Sequence, residues 1–298
     1  MTVYHEITCK SACNHINSKF LSYHWDLNAY RGCTHGCRYC YAIYSHRYME
    51  SGSFFGEVFV KTNIVDQLER QLRSPSWRRE IVNLGGVTDN YQEAEAQYKL
   101  MPEILKLLIR YKTPCIVSSK SDLILRDFDL LVELAQVAGA NVAQTVTCMD
   151  EAIRTRLEPG GVPSRRRLEV LRAFSKTQVT TGVHSMPIVP YRTDGPDNLE
   201  ALYAGAREVE ADYLLPGLLN LRGPTRRVFF DFIRQDFPEK LEPLQRAYGS
   251  GRLDRDYKAQ LYGLIGQLRR QYGVGADYMA PIRSQLHPEP EYVQLSLF

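Results

Sequence analysis

Three cysteines, Cys33, Cys37 and Cys40, fall within eight residues of the segment NAYRGCTHGCRYCYA at a CxxxCxxC spacing. Thiolates crowded in this way suit zinc or an iron-sulfur centre. Gly32 and Gly36 permit the tight loop that this crowding requires. Two chemistries stand open. A closed structural zinc site wants four ligands, and His35 inside the same loop would complete a Cys/His set. An iron-sulfur cube held by only three cysteines instead leaves one iron free to chelate a small molecule and pass it an electron. The chain has seven cysteines, an odd number, whereas a secreted disulfide scaffold would be shorter and would spread its thiols in pairs. Metal binding is the better reading of the crowding.

Other chemistry-bearing residues stand at the ends of short apolar runs. Gly85 and Gly86 close one run in NLGGVTD, where a missing side chain would let the backbone approach a ligand or would simply turn the chain. Ser118 and Lys120 close the next in IVSSKSD, with a solvated loop as the plain alternative. Thr145 and Thr147 lie on the run after that, followed by EPGGVPSRRR with Glu158 and three consecutive arginines. Cys115 and Cys148 read first as small buried residues. Cys9 and Cys13 share a CxxxC spacing, yet two thiols do not make a cluster, and a mobile arm is their expected setting. His46 and His184 carry no assignment.

What must position these residues is an alternation of short apolar runs with longer amphipathic ones, the pattern of strand-helix units around a parallel sheet. About six units are visible. The strands are expected at Trp25–Tyr30, Val58–Lys61, Glu80–Leu84, Pro114–Ser118, Asn141–Thr147, Thr180–Met186 and Tyr213–Pro216, and helices at Thr62–Leu72 and Pro102–Ile109. The fold class is therefore α/β, a partial (β/α)6 TIM-like barrel, whose site residues gather at the C-terminal strand ends. An N-terminal arm (1–24) precedes the core (25–223), and a basic helical cap (224–286) with Arg226, Arg227, Arg269 and Arg270 follows it. Residues 287–298 form an extended linker and terminal peptide. At 298 residues and 44% hydrophobic content the chain has ample core, and its net charge of +3 neither demands nor excludes an anionic partner. The first residues lack the apolar centre of a signal peptide, and no run approaches the roughly 20 apolar residues that span a bilayer, so a cytoplasmic protein with no membrane contact is expected.

The cysteine loop, with aromatic Tyr39 just before its third cysteine, resembles that of the radical S-adenosylmethionine (SAM) superfamily. The resemblance implies a 4Fe-4S cluster on Cys33, Cys37 and Cys40, with SAM on the open iron and its reductive cleavage to a 5′-deoxyadenosyl radical. It places Tyr39 near adenine, Gly85 and Gly86 near the amino group, and Ser118, Lys120 and Thr145 among the SAM-binding positions. Val87 replaces the acid of the family's GGE-like motif. An external electron donor such as flavodoxin or ferredoxin is implied as well.

Over roughly Trp25 to Pro224 the chain is similar to the spore photoproduct lyase-like, or DNA repair photolyase-like, branch, through CRYCYA, SSKSD and EPG before an arginine-rich helix start. That branch implies a lyase-like DNA-repair role, with hydrogen removed from a damaged base and then returned. Tyr39 and Tyr41 match its two tyrosines, whereas Val87 stands where its hydrogen-donating cysteine would, leaving Cys148 as the remaining thiol for that role. The terminal Gln294–Phe298, QLSLF, resembles the pentapeptide by which repair enzymes dock on the bacterial sliding clamp. DNA is thus the expected partner, with cap arginines on phosphates and a flipped target base. The alternatives are a radical SAM enzyme acting on RNA, a peptide or a metabolite, and a zinc-binding nucleic-acid module.

Overall fold

The apolar runs form strands because nearly every residue in them is buried on both faces, as in Val82–Leu84 and Ala140–Thr145. The structure, a computed structural model, describes residues 2–19, 21–48, 53–249, 253–280 and 282. Its strands are β1 (Val3–Ile7), β2 (Cys13–His15), β3 (Trp25–Leu27), β4 (Tyr30–Arg31), β5 (Glu57–Lys61), β6 (Val82–Leu84), β7 (Cys115–Ser119), β8 (Ala140–Thr145), β9 (Thr180–Ile188) and β10 (Tyr213–Leu218). The main sheet runs β10-β9-β8-β7-β6-β3-β2. All neighbours are parallel except β2, which pairs antiparallel with β3. Six parallel strands in sequential order, joined through helices, make the partial (β/α)6 barrel.

Two strand expectations need correction. Trp25–Tyr30 is not one strand: the chain leaves the sheet after Leu27, where Asn28 gives its carbonyl to Lys61 Nζ (2.7 Å) and its side-chain oxygen to the Val87 amide (2.9 Å). β4 then pairs with β5 in a second, three-stranded sheet, β1-β5-β4. Val58–Lys61 is therefore a strand, as expected, but not one of the barrel. A buried strand has the same apolar signature in either sheet, so periodicity could not assign it.

Nor does the arm hang free. β1 pairs in parallel with β5, and two side-chain amides hold the next stretch: Asn63, just before the helix Ile64–Leu72, exchanges two hydrogen bonds with the Cys9 backbone, and Gln71, on it, two with the Cys13 backbone (2.8–3.0 Å). Cys13 is buried there. Asn63 precedes the helix but spends its side chain on Cys9 rather than on a cap. Ile64, Leu68 and Leu72 face inward at four-residue spacing, each burial stabilising by about 1.5–3 kcal/mol.

The N-terminal end of the barrel is plugged by Ile81, Ile116, Met279 and Ile282, with Asn141 Nδ2 donating to Tyr278 O (2.9 Å). At the other end, helix Pro224–Asp236 with its phenylalanines and helix Leu241–Ala247 with Leu244 and Ala247 pack into one cluster with Cys37, Tyr39 and Leu157. Helix Arg255–Tyr272 behaves differently, burying Leu261, Ile265 and Leu268 in the barrel's own core. The linker from 287 and the peptide Gln294–Phe298 lie outside the described residues. Among the described residues no helix is long and apolar enough to cross a membrane.

The tightest backbone approach tests this packing. Gly182 on β9 lies flat against the fully buried Tyr213 ring of β10, so a methyl group there would overlap the ring. Gly182→Ala is expected to lower stability by about 3 kcal/mol. Gly263→Ala, in open space on helix Arg255–Tyr272, should raise it by about 0.5–1 kcal/mol. Denaturant unfolding midpoints of the two variants check both signs.

Candidate active site

The loop that carries the three cysteines has little core of its own, so its shape must come from partners. Cys33 and Cys37 are buried and Cys40 is half-buried. Burial pushes all three thiols up, Cys37 to about 12 even with Lys120 nearby, so loading with metal must release protons. Backbone bonds fix the loop's ends: Cys33 N donates to Phe54 O (3.1 Å) and Arg38 N to Leu157 O (2.9 Å). Thr225 Oγ1 of the cap donates to Cys40 O (3.0 Å).

Two buried carboxylates brace the loop from opposite sides. Asp89, from the GGVTD run, accepts from His35 Nε2 (2.8 Å), Lys120 N (2.8 Å), Tyr91 N (2.9 Å) and Ser119 Oγ (3.0 Å). Burial alone would raise its pKa, but the His35 charge and these bonds outweigh that and hold it at about 2. Glu158, from the EPGG turn, accepts from Tyr39 Oη, Thr147 Oγ1 (2.7 Å) and Arg167 Nη1 (2.5 Å). Its side chain and that of Arg167 are both fully buried. Burial again opposes the charge, yet Arg167, Lys120 and the two hydroxyls hold Glu158 at about 2. The EPGG turn itself grips the loop, with Gly160 N donating to His35 O (2.9 Å). A side chain on Gly160 would strike Thr34 O and His35 Cα, so glycine is required by close approach.

The zinc alternative loses its fourth ligand here. His35 uses Nδ1 on Gly160 O (3.0 Å) and Nε2 on Asp89, leaving no nitrogen for a metal. Among the described residues no three His, Cys, Asp or Glu side chains converge on a single-ion site. Thiolates bound to separate irons of a cluster need no such convergence, so the three-cysteine donor set fits a cluster better than one ion.

The remaining predicted residues divide. Tyr39 is buried, its hydroxyl on Glu158 and its ring 5.9 Å from Lys120 Nζ. Tyr41 is 60% exposed and donates its hydroxyl to Gly86 O, joining the cysteine loop to the glycine turn. The group that comes close to Gly86 is the protein's own Asp26, which accepts Gly86 N at 3.1 Å and would meet a Cβ there at 2.5 Å. Ser118 Oγ bonds His184 Nδ1 (3.0 Å), and the other ring nitrogen, Nε2, bonds Tyr213 Oη (3.3 Å). Burial and the Lys120 charge lower His184 to about 4. Thr145 gives its carbonyl to Arg167 Nη1 (2.8 Å). Cys148 turns its thiol to Asp150 O (3.4 Å) at the start of helix Glu151–Leu157, away from any role visible in its contacts. Local sequence does not single out Asp26, Asn28, Asp89 or Gln92, the last of which accepts from Thr34 N (3.0 Å) and donates to Gly32 O (3.1 Å) of the cysteine loop; where Val87 replaces the motif's acid, an acid stands two residues later as Asp89, committed to His35.

A model of the radical SAM superfamily matches residues 27–202 of this chain. An uncharacterized protein of Mycobacterium tuberculosis (strain H37Rv) is 34% identical over 301 residues, covering 99% of this chain and 88% of the relative. Another, from Methanocaldococcus jannaschii, is 25% identical over 217 residues, covering 72% and 77%. Among solved structures, a doubly substituted spore photoproduct lyase with bound AdoMet and dinucleoside spore photoproduct superposes with a TM-score of 0.66 at 14% identity, covering 92% of this chain and 80% of that one. That likeness is one of fold.

The buried pair yields a test of the loop's support. Because the folded pKa of Glu158 lies below the free value of 4.5, its charge stabilises the native state above that pH, and the contribution drains away as pH falls toward about 2. Glu158→Gln leaves Arg167 buried without its partner and is expected to cost about 3–5 kcal/mol in unfolding experiments near pH 7. Its loss of stability between pH 5 and 3 should be shallower than that of the wild type. The site's donor set and the match over residues 27–202 agree: the chain belongs to the radical SAM superfamily, whose members work with a 4Fe-4S cluster and SAM.

Proposed function

We propose that this enzyme repairs damaged DNA by radical chemistry, with Cys33, Cys37 and Cys40 holding the cluster. Cluster and SAM together supply a 5′-deoxyadenosyl radical by one-electron cleavage, the electron coming from an external donor such as flavodoxin or ferredoxin. The chain's own residues orient and protect. Tyr39, fixed through Glu158, offers a rigid buried ring for adenine, and the Lys120 ammonium beside it suits the carboxylate of SAM. Gly85 and Thr145 complete the SAM-binding set, Gly86 serves it by admitting Asp26 and Tyr41, and Ser118 acts through His184.

The observation that carries the substrate reading is Tyr41. It follows Cys40 directly, is largely exposed, and has its phenol held on Gly86 O, a position that supports a role in relaying a hydrogen atom beside the cluster loop. The spore photoproduct lyase that shares this fold binds a dinucleoside lesion. Val87 packs among Cys33, Cys40 and Phe54, so the position that would carry a thiol is apolar. Tyr41 is therefore favoured over the engaged Cys148 for returning hydrogen, the phenoxyl radical it leaves being restored by one electron from the external donor and a proton from solvent at the exposed ring. We also propose that Gln294–Phe298 docks on the bacterial sliding clamp.

Anaerobically loaded protein given SAM, dithionite and DNA carrying spore photoproduct should form 5′-deoxyadenosine and restore thymine. Cys37→Ala should abolish both. Tyr41→Phe should cut thymine recovery at least tenfold while 5′-deoxyadenosine still forms. Formation of 5′-deoxyadenosine with the lesion untouched would overturn the repair reading. Purified sliding clamp should co-elute with the full chain and not with one truncated before Gln294.

A further inference from the structure

Charge is not spread evenly over this surface. On helix Ser164–Phe174 the exposed arginines are neutralised: Arg165 and Arg172 pair with Glu208 (3.5 and 2.6 Å), and Arg166 with Asp122 and Glu169 (2.7 and 3.1 Å). Helix Pro224–Asp236 is different. Its inner face, with Thr225, Phe229, Phe232 and Ile233, is buried. Its outer face forms a shallow hollow containing Arg226, Arg227 and Arg234, of which Arg234 alone has a carboxylate partner among the described residues, Asp231 at 2.7 Å. Arg226 is held in place by its stacking on Phe230 (4.9 Å to the centroid) and by Tyr248 O (3.3 Å), neither of which neutralises it. Arg227 and the adjacent Arg222 are exposed and have no acidic partner among the described residues. Arg38, between Cys37 and Tyr39, is likewise exposed and lies 5.8 Å from the Phe232 centroid.

Arg226 and Arg227 follow Thr225, which ties the first turn of the helix to Cys40 O of the cysteine loop, Arg222 precedes that turn, and Arg38 belongs to the loop itself. The segment Tyr41–Tyr48 packs against that helix, and its Tyr41 and Tyr44 rings are 60% and 45% exposed. Cations without counter-charges among the described residues, flanked by exposed aromatic faces, match the alternation of phosphates and unstacked bases along a single strand. An acidic peptide would use the cations but not the rings.

We propose that Arg38, Arg222, Arg226 and Arg227 form a phosphate-contacting rim that seats a DNA strand around an extruded base, with Tyr44 as its stacking face. The proposal rests on the DNA reading above and adds the surface that reads the backbone. Binding of a lesion-free single-stranded DNA oligonucleotide to the holoenzyme, followed by fluorescence anisotropy across a salt titration, tests it. Arg222→Ala/Arg227→Ala should weaken binding about tenfold and reduce the slope of log affinity against log salt by about 1.4, or about 0.7 per lost phosphate contact. Arg165→Ala/Arg172→Ala, which removes the same formal charge from a paired region, should leave the slope unchanged. Arg227→Lys should keep most of the affinity, separating charge from misfolding. Equal loss in both double variants, or none in the first, overturns the rim while the repair reading stands. Failure of wild-type holoenzyme to bind any DNA overturns the reading beneath it, and tenfold tighter binding of the matching RNA overturns DNA as the partner.

Discussion

A carboxylate sealed from water, Glu158, is the interaction on which the rest of this site depends. Left alone, such a charge would destabilise the fold by several kcal/mol. Here Arg167, equally buried, answers it at 2.5 Å, and Tyr39 and Thr147 satisfy its remaining acceptor capacity. The consequence is geometric. Tyr39 belongs to the cysteine loop, Thr147 follows β8, and Arg167 lies on the helix behind the EPGG turn, so one carboxylate locks three elements together. Asp89 does the same on the other flank through His35, Ser119 and the Lys120 amide. A short, glycine-containing loop that presents three thiols cannot be rigid by its own packing, and two ionised braces supply the rigidity that ligand geometry requires.

The barrel explains why these partners meet. Parallel strands deliver their C-terminal ends to one face, and the residues after β6, β7 and β8 supply Asp89, Lys120 and Thr147 there. The opposite face is closed by Met279 and Ile282. The helices after Pro224 then cover the cysteine loop with an aromatic layer in which Phe229, Phe232 and Phe237 pack near Tyr39 and Cys37. The second sheet carries the cysteine loop outward from β4, while Lys61 at the end of β5 ties back to Asn28 at the edge of the barrel.

Local chemistry was legible in the sequence, and long-range pairing was not. The thiol spacing, the six strand-helix units and the helical character after Pro224 all follow from residues close together in the chain. The arm looked mobile because its two fixing amides, Asn63 and Gln71, are 54 and 58 residues away from Cys9 and Cys13. His35 looked like a metal ligand until its acceptors appeared 54 and 125 residues on. Glu158 stood out as part of EPGG, yet its partner Tyr39 lies 119 residues before it. Ser118 reads toward the cofactor because alternation along β7 cannot reveal His184 on β9, two strands away in the sheet. In each case the missing information was a tertiary contact.

The central claim is that three protein thiolates leave a cluster iron open to SAM. Electron paramagnetic resonance of the anaerobically loaded, dithionite-reduced protein, recorded with and without SAM, tests it most directly. The account predicts a reduced 4Fe-4S signal whose g-values shift when SAM is added. A spectrum indifferent to SAM, or protein that retains stoichiometric zinc and no iron or sulfide, would contradict it.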